Sequence, residues 1–252
     1  MGSDKSKMKI LKRSRNYNNK NFSILGDSIS TLEGYNPHGY NVFYDKAKQK
    51  QSGVLSWEDT WWGMVIKHFG GKLIVNNSWS GSRVATIPGS KEIFPSACSD
   101  ERTAGLHSIS QAGIRTDPDI IIIYIGTNDW GFGTPLKSEP GVQGFAEAYQ
   151  KMLAAIHINY PNAEIWCCSL MPTCMYSRDD FVFPYYYGGV HMKEYNGIIK
   201  KCVKVNLKNH VNICYMDTYK HSVPYDSIDG SHPTAAGMKT IAELIIRESS
   251  KR

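Results

Sequence analysis

The 252-residue sequence contains no apolar run near the roughly 20 residues that a membrane-spanning helix requires. Its longest, Ile120 to Ile125, is the length of a strand, so stable membrane insertion is not expected. No C-x-x-C pair occurs among the six cysteines, Cys98, Cys167, Cys168, Cys174, Cys202 and Cys214, which leaves zinc ligation and a disulfide framework without a basis. The eight histidines show no metal-ligand spacing either, so neither metal nor cofactor is expected. No G-x-x-x-x-G-K phosphate cradle follows the first strand, which speaks against a nucleotide-binding module. Net charge is also absent outside one segment. Residues 1–20 hold seven basic groups and the single acid Asp4, whereas the other 232 residues hold 22 basic and 22 acidic groups. A neutral body gives no electrostatic case for a nucleic-acid surface. The expected organisation is a basic flexible arm, 1–20, ahead of a single domain, 21–252. The start lacks the apolar stretch of a secretory signal, so the chain as given reads as cytoplasmic, or as secreted if a signal has been removed.

What is present is an ordinary globular composition, 41% hydrophobic and 21% charged with a mean hydropathy of -0.37. Short apolar runs suited to buried strands occur at Phe22–Leu25, Leu73–Val75, Ile120–Ile125, Ile165–Leu170 and Val211–Met216. Helical spacing lies between and after them: Trp57 to Phe69, with Ser56 as N-cap and Asp59 three residues on, then Phe145–Ile158, Tyr195–Leu207 and Ala235–Ile246. Strands alternating with helices of this length build right-handed βαβ units, which predicts a three-layer α/β/α domain around a mainly parallel sheet of about five strands. Ligands of such sheets sit beyond the carboxyl ends of the strands. Three long irregular stretches, Tyr35–Gly53, Arg83–Arg102 and Met171–His191, are therefore candidates for function.

The strand ends carry polar clusters. Gly26-Asp27-Ser28 follows the first strand, where Gly26 permits a tight turn and a helix N-terminus favours negative charge developing at Ser28. Asn76-Asn77-Ser78-Trp79-Ser80-Gly81 follows the second and Gly126-Thr127-Asn128-Asp129 the third, so a backbone N–H at Gly81 and the Asn128 amide can join the Ser28 N–H in facing an oxyanion. Asp229-Gly230-Ser231-His232 precedes the last helix, a spacing at which a carboxylate reaches Nδ1 of an imidazole and leaves Nε2 to take a proton from a serine. Each segment alone is also an ordinary turn. Asp217 and His221 form a rival carboxylate–imidazole pair, ranked lower because Asp217 ends a strand and His221 lies in a loop.

Taken in order, G-D-S, Gly81, G-T-N-D and D-G-S-H resemble the blocks of the SGNH hydrolases, also called the GDSL lipase and acylhydrolase family, over about Phe22 to Ile246. Ile29 replaces the leucine of the family's named motif, and Ser78 stands where many members have a smaller residue. The resemblance implies a flavodoxin-like fold and ester hydrolysis through an acyl-enzyme. It implies Ser28 as nucleophile, His232 as base, Asp229 as its orienting acid, and Ser28, Gly81 and Asn128 as oxyanion-hole donors. The expected partner is a small-molecule ester. Six aromatics among residues 176–187 offer a wall suited to sugar rings, and the lack of a long apolar loop favours small acyl groups such as acetyl. A lipase or lysophospholipase activity, and an inactive flavodoxin-like binding module, stand as alternatives.

Overall fold

The structure is a computed structural model, and it describes residues 16–86, 95–175, 190–209, 211–221 and 224–251. Its strands are β1 (Asn21–Gly26), β2 (Lys72–Ser78), β3 (Ser108–Ile109), β4 (Arg115–Thr116), β5 (Ile120–Tyr124), β6 (Glu164–Cys168), β7 (Thr173–Met175), β8 (Ile213–Met216) and β9 (Tyr225–Ser227). The helices are α1 (Lys46–Ser52), α2 (Trp61–His68), α3 (Asp100–Ala104), α4 (Thr127–Gly131), α5 (Phe145–Asn159), α6 (Met192–Lys208) and α7 (Ala235–Ser249).

Five strands pair in parallel in the order β2-β1-β5-β6-β8. Counting only these five along the chain, the order is 2-1-3-4-5, the flavodoxin-like winding. The period of two in the isoleucine run serves both faces of the sheet at once. Ile121, Ile123 and Ile125 enter one core with Tyr149, Met152 and Leu153 of α5 and Ile199 of α6. Ile120, Ile122 and Tyr124 enter the other with Val65 of α2 and Met238, Ile241 and Ile245 of α7. All three layers are therefore as expected.

The differences lie at element edges. The Ser56/Asp59 box forms, with Asp59 accepting from the Ser56 N–H at 2.8 Å, but it starts a 3-10 turn (Trp57–Asp59). The α-helix begins only at Trp61, capped by Thr60, whose hydroxyl accepts from the Gly63 N–H at 3.0 Å. The Tyr35–Gly53 stretch contains α1, capped by Asp45 on the Ala47 and Lys48 N–H groups. The end of the assigned arm is packed down: Tyr17 is 7% exposed and sets its ring edge-on to Trp166 and Phe69, and Lys20 pairs with Asp119 at 2.8 Å. Packing against the domain therefore reaches back at least to Tyr17, four residues before the charge-neutral segment.

Candidate active site

The winding reverses between β1 and β5, since β2 is added on one side of β1 and β5 on the other. A parallel sheet opens a crevice at such a point. Gly26 pairs with Tyr124 across it, so the segments carrying Ser28 and Asn128 leave the sheet side by side.

Ser28 begins a 3-10 turn, Ser28–Ser30, capped by the Asp27 carboxylate on the Ile29 N–H at 3.1 Å. The turn is fastened at Ser30: Trp62 Nε1 and Asn76 Nδ2 donate to its carbonyl at 3.0 and 2.8 Å, and Trp61 Nε1 donates to its Oγ at 3.2 Å. Gly26 proves necessary for space, not for a positive φ. A Cβ there would lie 2.5 Å from Ser30 Oγ and 2.8 Å from Ser78 Oγ. Gly126 is the conformational glycine, at φ 123°, where it turns the chain from β5 into α4.

Facing the turn is the loop between β9 and α7, closed by the Ile228 N–H on the His232 carbonyl at 3.0 Å. His232 Nε2 lies 2.8 Å from Ser28 Oγ, and its Nδ1 lies 2.7 Å from Asp229 Oδ2. Asp229 Oδ1 also accepts from the backbone N–H groups of Ser231 and His232 at 3.1 and 2.8 Å. Burial raises the Asp229 carboxyl, but these bonds and the imidazole more than offset it and hold the group below its ordinary 3.8. The sequence-derived trio is thus brought together, Ser28 only 6% exposed. The rival pair is separated. Asp217 faces Lys200 at 3.6 Å and His221 faces Glu248 at 3.6 Å, with no hydrogen bond joining the two among the described residues.

Asn128 Nδ2 donates to the Ser82 carbonyl at 2.9 Å, tying α4 to the turn that holds Gly81 at φ 84°. An amide nitrogen carries a second hydrogen. The Ser28 and Gly81 N–H groups have no acceptor among the described residues. Three donors of the type an oxyanion needs therefore come from three strand ends. Next to Asn128, the Asp129 carboxylate accepts from Val84 and Ala85 N–H at 2.8 and 3.2 Å, and burial pushes it up to about 6. Asp27, also fully buried, is pushed up to about 7 by desolvation, against the pull of the Ile29 N–H.

Two participants were not singled out from the sequence. The ring of Phe43 stacks on the His232 imidazole, centroids 3.3 Å apart and planes 7° from parallel. Its backbone N–H donates to Thr31 Oγ1, which in turn donates to the Ser28 carbonyl, each at 2.9 Å. The only signal was its place in the long Tyr35–Gly53 stretch. The second is Arg102, fully buried at the end of the Arg83–Arg102 stretch. The aromatic wall expected at 176–187 lies outside the described residues. One turn beyond Asn128, however, Phe132 is 67% exposed, with the Arg83 guanidinium 4.5 Å from its ring centre. Among the described residues no cluster of three or more His, Cys, Asp and Glu side chains is arranged to hold a metal ion.

Residues 20–173 match the family model of the GDSL-like lipases and acylhydrolases. Among solved structures, a GDSL-like lipase from Bacteroides ovatus superposes with a TM-score of 0.67 at 27% identity, over 93% of this chain and 99% of that one. A family two carbohydrate esterase from Clostridium thermocellum, solved with cellohexaose, shares the fold, with a TM-score of 0.58 at 17% identity over 92% of this chain and 64% of that one. A curated relative, the cellulase/esterase CelE of Acetivibrio thermocellus, is 30% identical over 67 residues, which is 25% of this chain and 8% of that protein.

Proposed function

The chain belongs to the family of GDSL-like lipases and acylhydrolases, which makes it an ester hydrolase by class, and on that premise we propose that it is a serine esterase for short acyl esters, working through an acyl-enzyme. Ser28 Oγ attacks the ester carbonyl carbon while His232 Nε2 takes its proton, and the Asp229 carboxylate orients the imidazole and stabilises its charge. The carbonyl oxygen, now an oxyanion, is met by the Ser28 and Gly81 N–H groups and the free hydrogen of the Asn128 amide. His232 returns the proton to the leaving alcohol, and the ester bond breaks. Water, deprotonated by the same imidazole, then attacks the acyl-serine; the C–Oγ bond breaks, the carboxylic acid leaves and His232 returns the proton to Ser28 Oγ. Every proton is carried by His232.

The observation carrying this reading is the continuous Ser28–His232–Asp229 contact at 2.8 and 2.7 Å. For the substrate, we favour acetylated sugars. Support comes from the CelE match, from the carbohydrate esterase that shares the fold, and from exposed Phe132, a flat apolar face of the kind sugar rings stack on. The test is kinetic. Ser28→Ala should stay folded and lose about 10³-fold or more in kcat on p-nitrophenyl acetate, and a fluorophosphonate probe should label the parent and not the variant. Parental turnover by the variant would place the nucleophile elsewhere, and failure of the parent both to label and to hydrolyse would leave a binding module. Across p-nitrophenyl esters and acetylated sugars, a preference for long acyl chains would favour a lipid acylhydrolase instead.

A further inference from the structure

We propose that Arg102 is a positioning residue of the oxyanion hole, holding the Asn128 amide in place through Ser82; this rests on the serine-esterase reading above. Its side chain is completely buried, yet all its hydrogen bonds among the described residues go to neutral oxygens. Burying a guanidinium with no carboxylate hydrogen-bonded to it is costly, so an apolar side chain would serve packing better. What the cation gains is reach. A guanidinium has five N–H donors in a rigid planar fork, and here each is used. Nε donates to Asn77 Oδ1 at 3.0 Å, one terminal nitrogen donates to Ser82 Oγ at 2.8 Å and Pro95 O at 3.1 Å, and the other donates to Gly26 O at 3.3 Å and Asn77 O at 3.0 Å.

These acceptors are the ends of β1 and β2 and the loop that follows β2. Gly26 is two residues before the nucleophile, and Ser82 immediately follows Gly81. The Ser82 carbonyl takes the first Asn128 hydrogen, which fixes the direction of the second. Asn77 locks the fork from the far side, its Nδ2 donating to the Arg102 and Gly105 carbonyls at 3.2 and 2.9 Å. One side chain thereby sets the spacing between the Ser28 turn, the Gly81 turn and Asn128. Burial lowers the guanidinium to about 10, so it stays charged at neutral pH.

A group that acts only by aiming oxyanion donors has a distinctive kinetic signature. Acylation and deacylation both pass through a tetrahedral oxyanion, so misaiming slows both steps alike and lowers kcat without moving KM. Lysine at 102 keeps the charge but loses the fork, and Ser82→Ala removes the acceptor while keeping the carbonyl that holds Asn128. On p-nitrophenyl acetate, Ser82→Ala should lower kcat about 10-fold and Arg102→Lys about 30-fold, with KM within about twofold and the pH profile unchanged. Because the Ser82 hydroxyl serves only to receive Arg102, the double variant should be no slower than Arg102→Lys alone. Thermal melts establish that the variants fold; if Arg102→Lys does not, Ser82→Ala decides alone. Folded variants with parental kcat, a loss confined to KM, or losses that multiply would each overturn the proposal. If Ser28→Ala is inactive while Ser82→Ala keeps parental kcat, only this inference fails; an active Ser28→Ala removes the reading beneath it.

Discussion

Asn128 gives one amide hydrogen to Ser82, and on the proposed mechanism the other meets the substrate only when its carbonyl oxygen becomes an anion. Asn128→Ala should therefore lower kcat by roughly 10² to 10³ and leave KM nearly unchanged in steady-state kinetics; a change in KM alone would make Asn128 a binding residue. On the same mechanism His232 accepts the serine proton and hands it to the leaving alcohol. His232→Ala should remove most of the rate, Asp229→Asn should cut it by disturbing the tautomer, and His221→Ala should leave kcat and KM as they are in side-by-side kinetics. The meeting of Ser28, Asp229 and His232 was legible because their segments fall in the order of the family's blocks, and because three residues across a glycine turn suffice for a carboxylate to reach Nδ1. Phe43 was not. A phenylalanine in a polar loop has no period to mark its face, and its ring meets an imidazole 189 residues away in the chain.

The turn that presents Ser28 contains a carboxyl group under stress. Asp27 caps the turn through one oxygen, while its Oδ2 is buried without a hydrogen-bond partner. Desolvation lifts its pKa from 3.8 to about 7, so between those values the folded protein binds a proton that the unfolded chain has released. Its contribution to stability is present below 3.8 and is lost as pH rises towards 7. Asp229 has the opposite sign, because its lowered pKa adds stability above 3.8 that is lost as acid protonates it. Asp27→Asn keeps a capping oxygen without the titration, so melting temperature against pH should fall less steeply from pH 4 to 7 in the variant than in the parent. At this scale the strands were readable because buried parallel strands are uninterrupted apolar runs. Helix starts were less so, since the Ser56/Asp59 box and the Thr60 cap both satisfy the rules for a helix start and only packing on the sheet decides which one the α-helix uses. Arg102 escaped notice because its five acceptors are mostly backbone carbonyls, which no residue pattern reports.

For the molecule as a whole, the layers and the parallel sheet follow from alternating periods, and the flavodoxin-like order followed from the family's motifs. Charge marks residues 1–20 as an arm but says nothing of packing, and Tyr17 contributes an edge-on ring to Trp166 and a hydroxyl 3.3 Å from Glu164 Oε1. Removing residues 1–15 should leave kcat/KM on a neutral ester within about twofold. Removing residues through Lys20 should also lower the melting temperature by roughly 5 °C, since burying such a ring is worth about 2 kcal/mol and a domain of this size shifts about 2–4 °C per kcal/mol. A tenfold loss of activity on the shorter deletion would show that the arm reaches the site. The bond between Ser28 and His232 joins residues 204 apart, so it closes nearly the entire chain into one loop. Closing a flexible loop of that length costs about 5 kcal/mol in chain entropy beyond a constant. No local fragment can assemble the pair in advance of the sheet, because Ser28 follows the first strand and His232 comes just before the last helix. In a refolding experiment, recovery of turnover would therefore report the docking of the last helix and the completion of the native chain path, after helical signal and hydrophobic collapse have already returned.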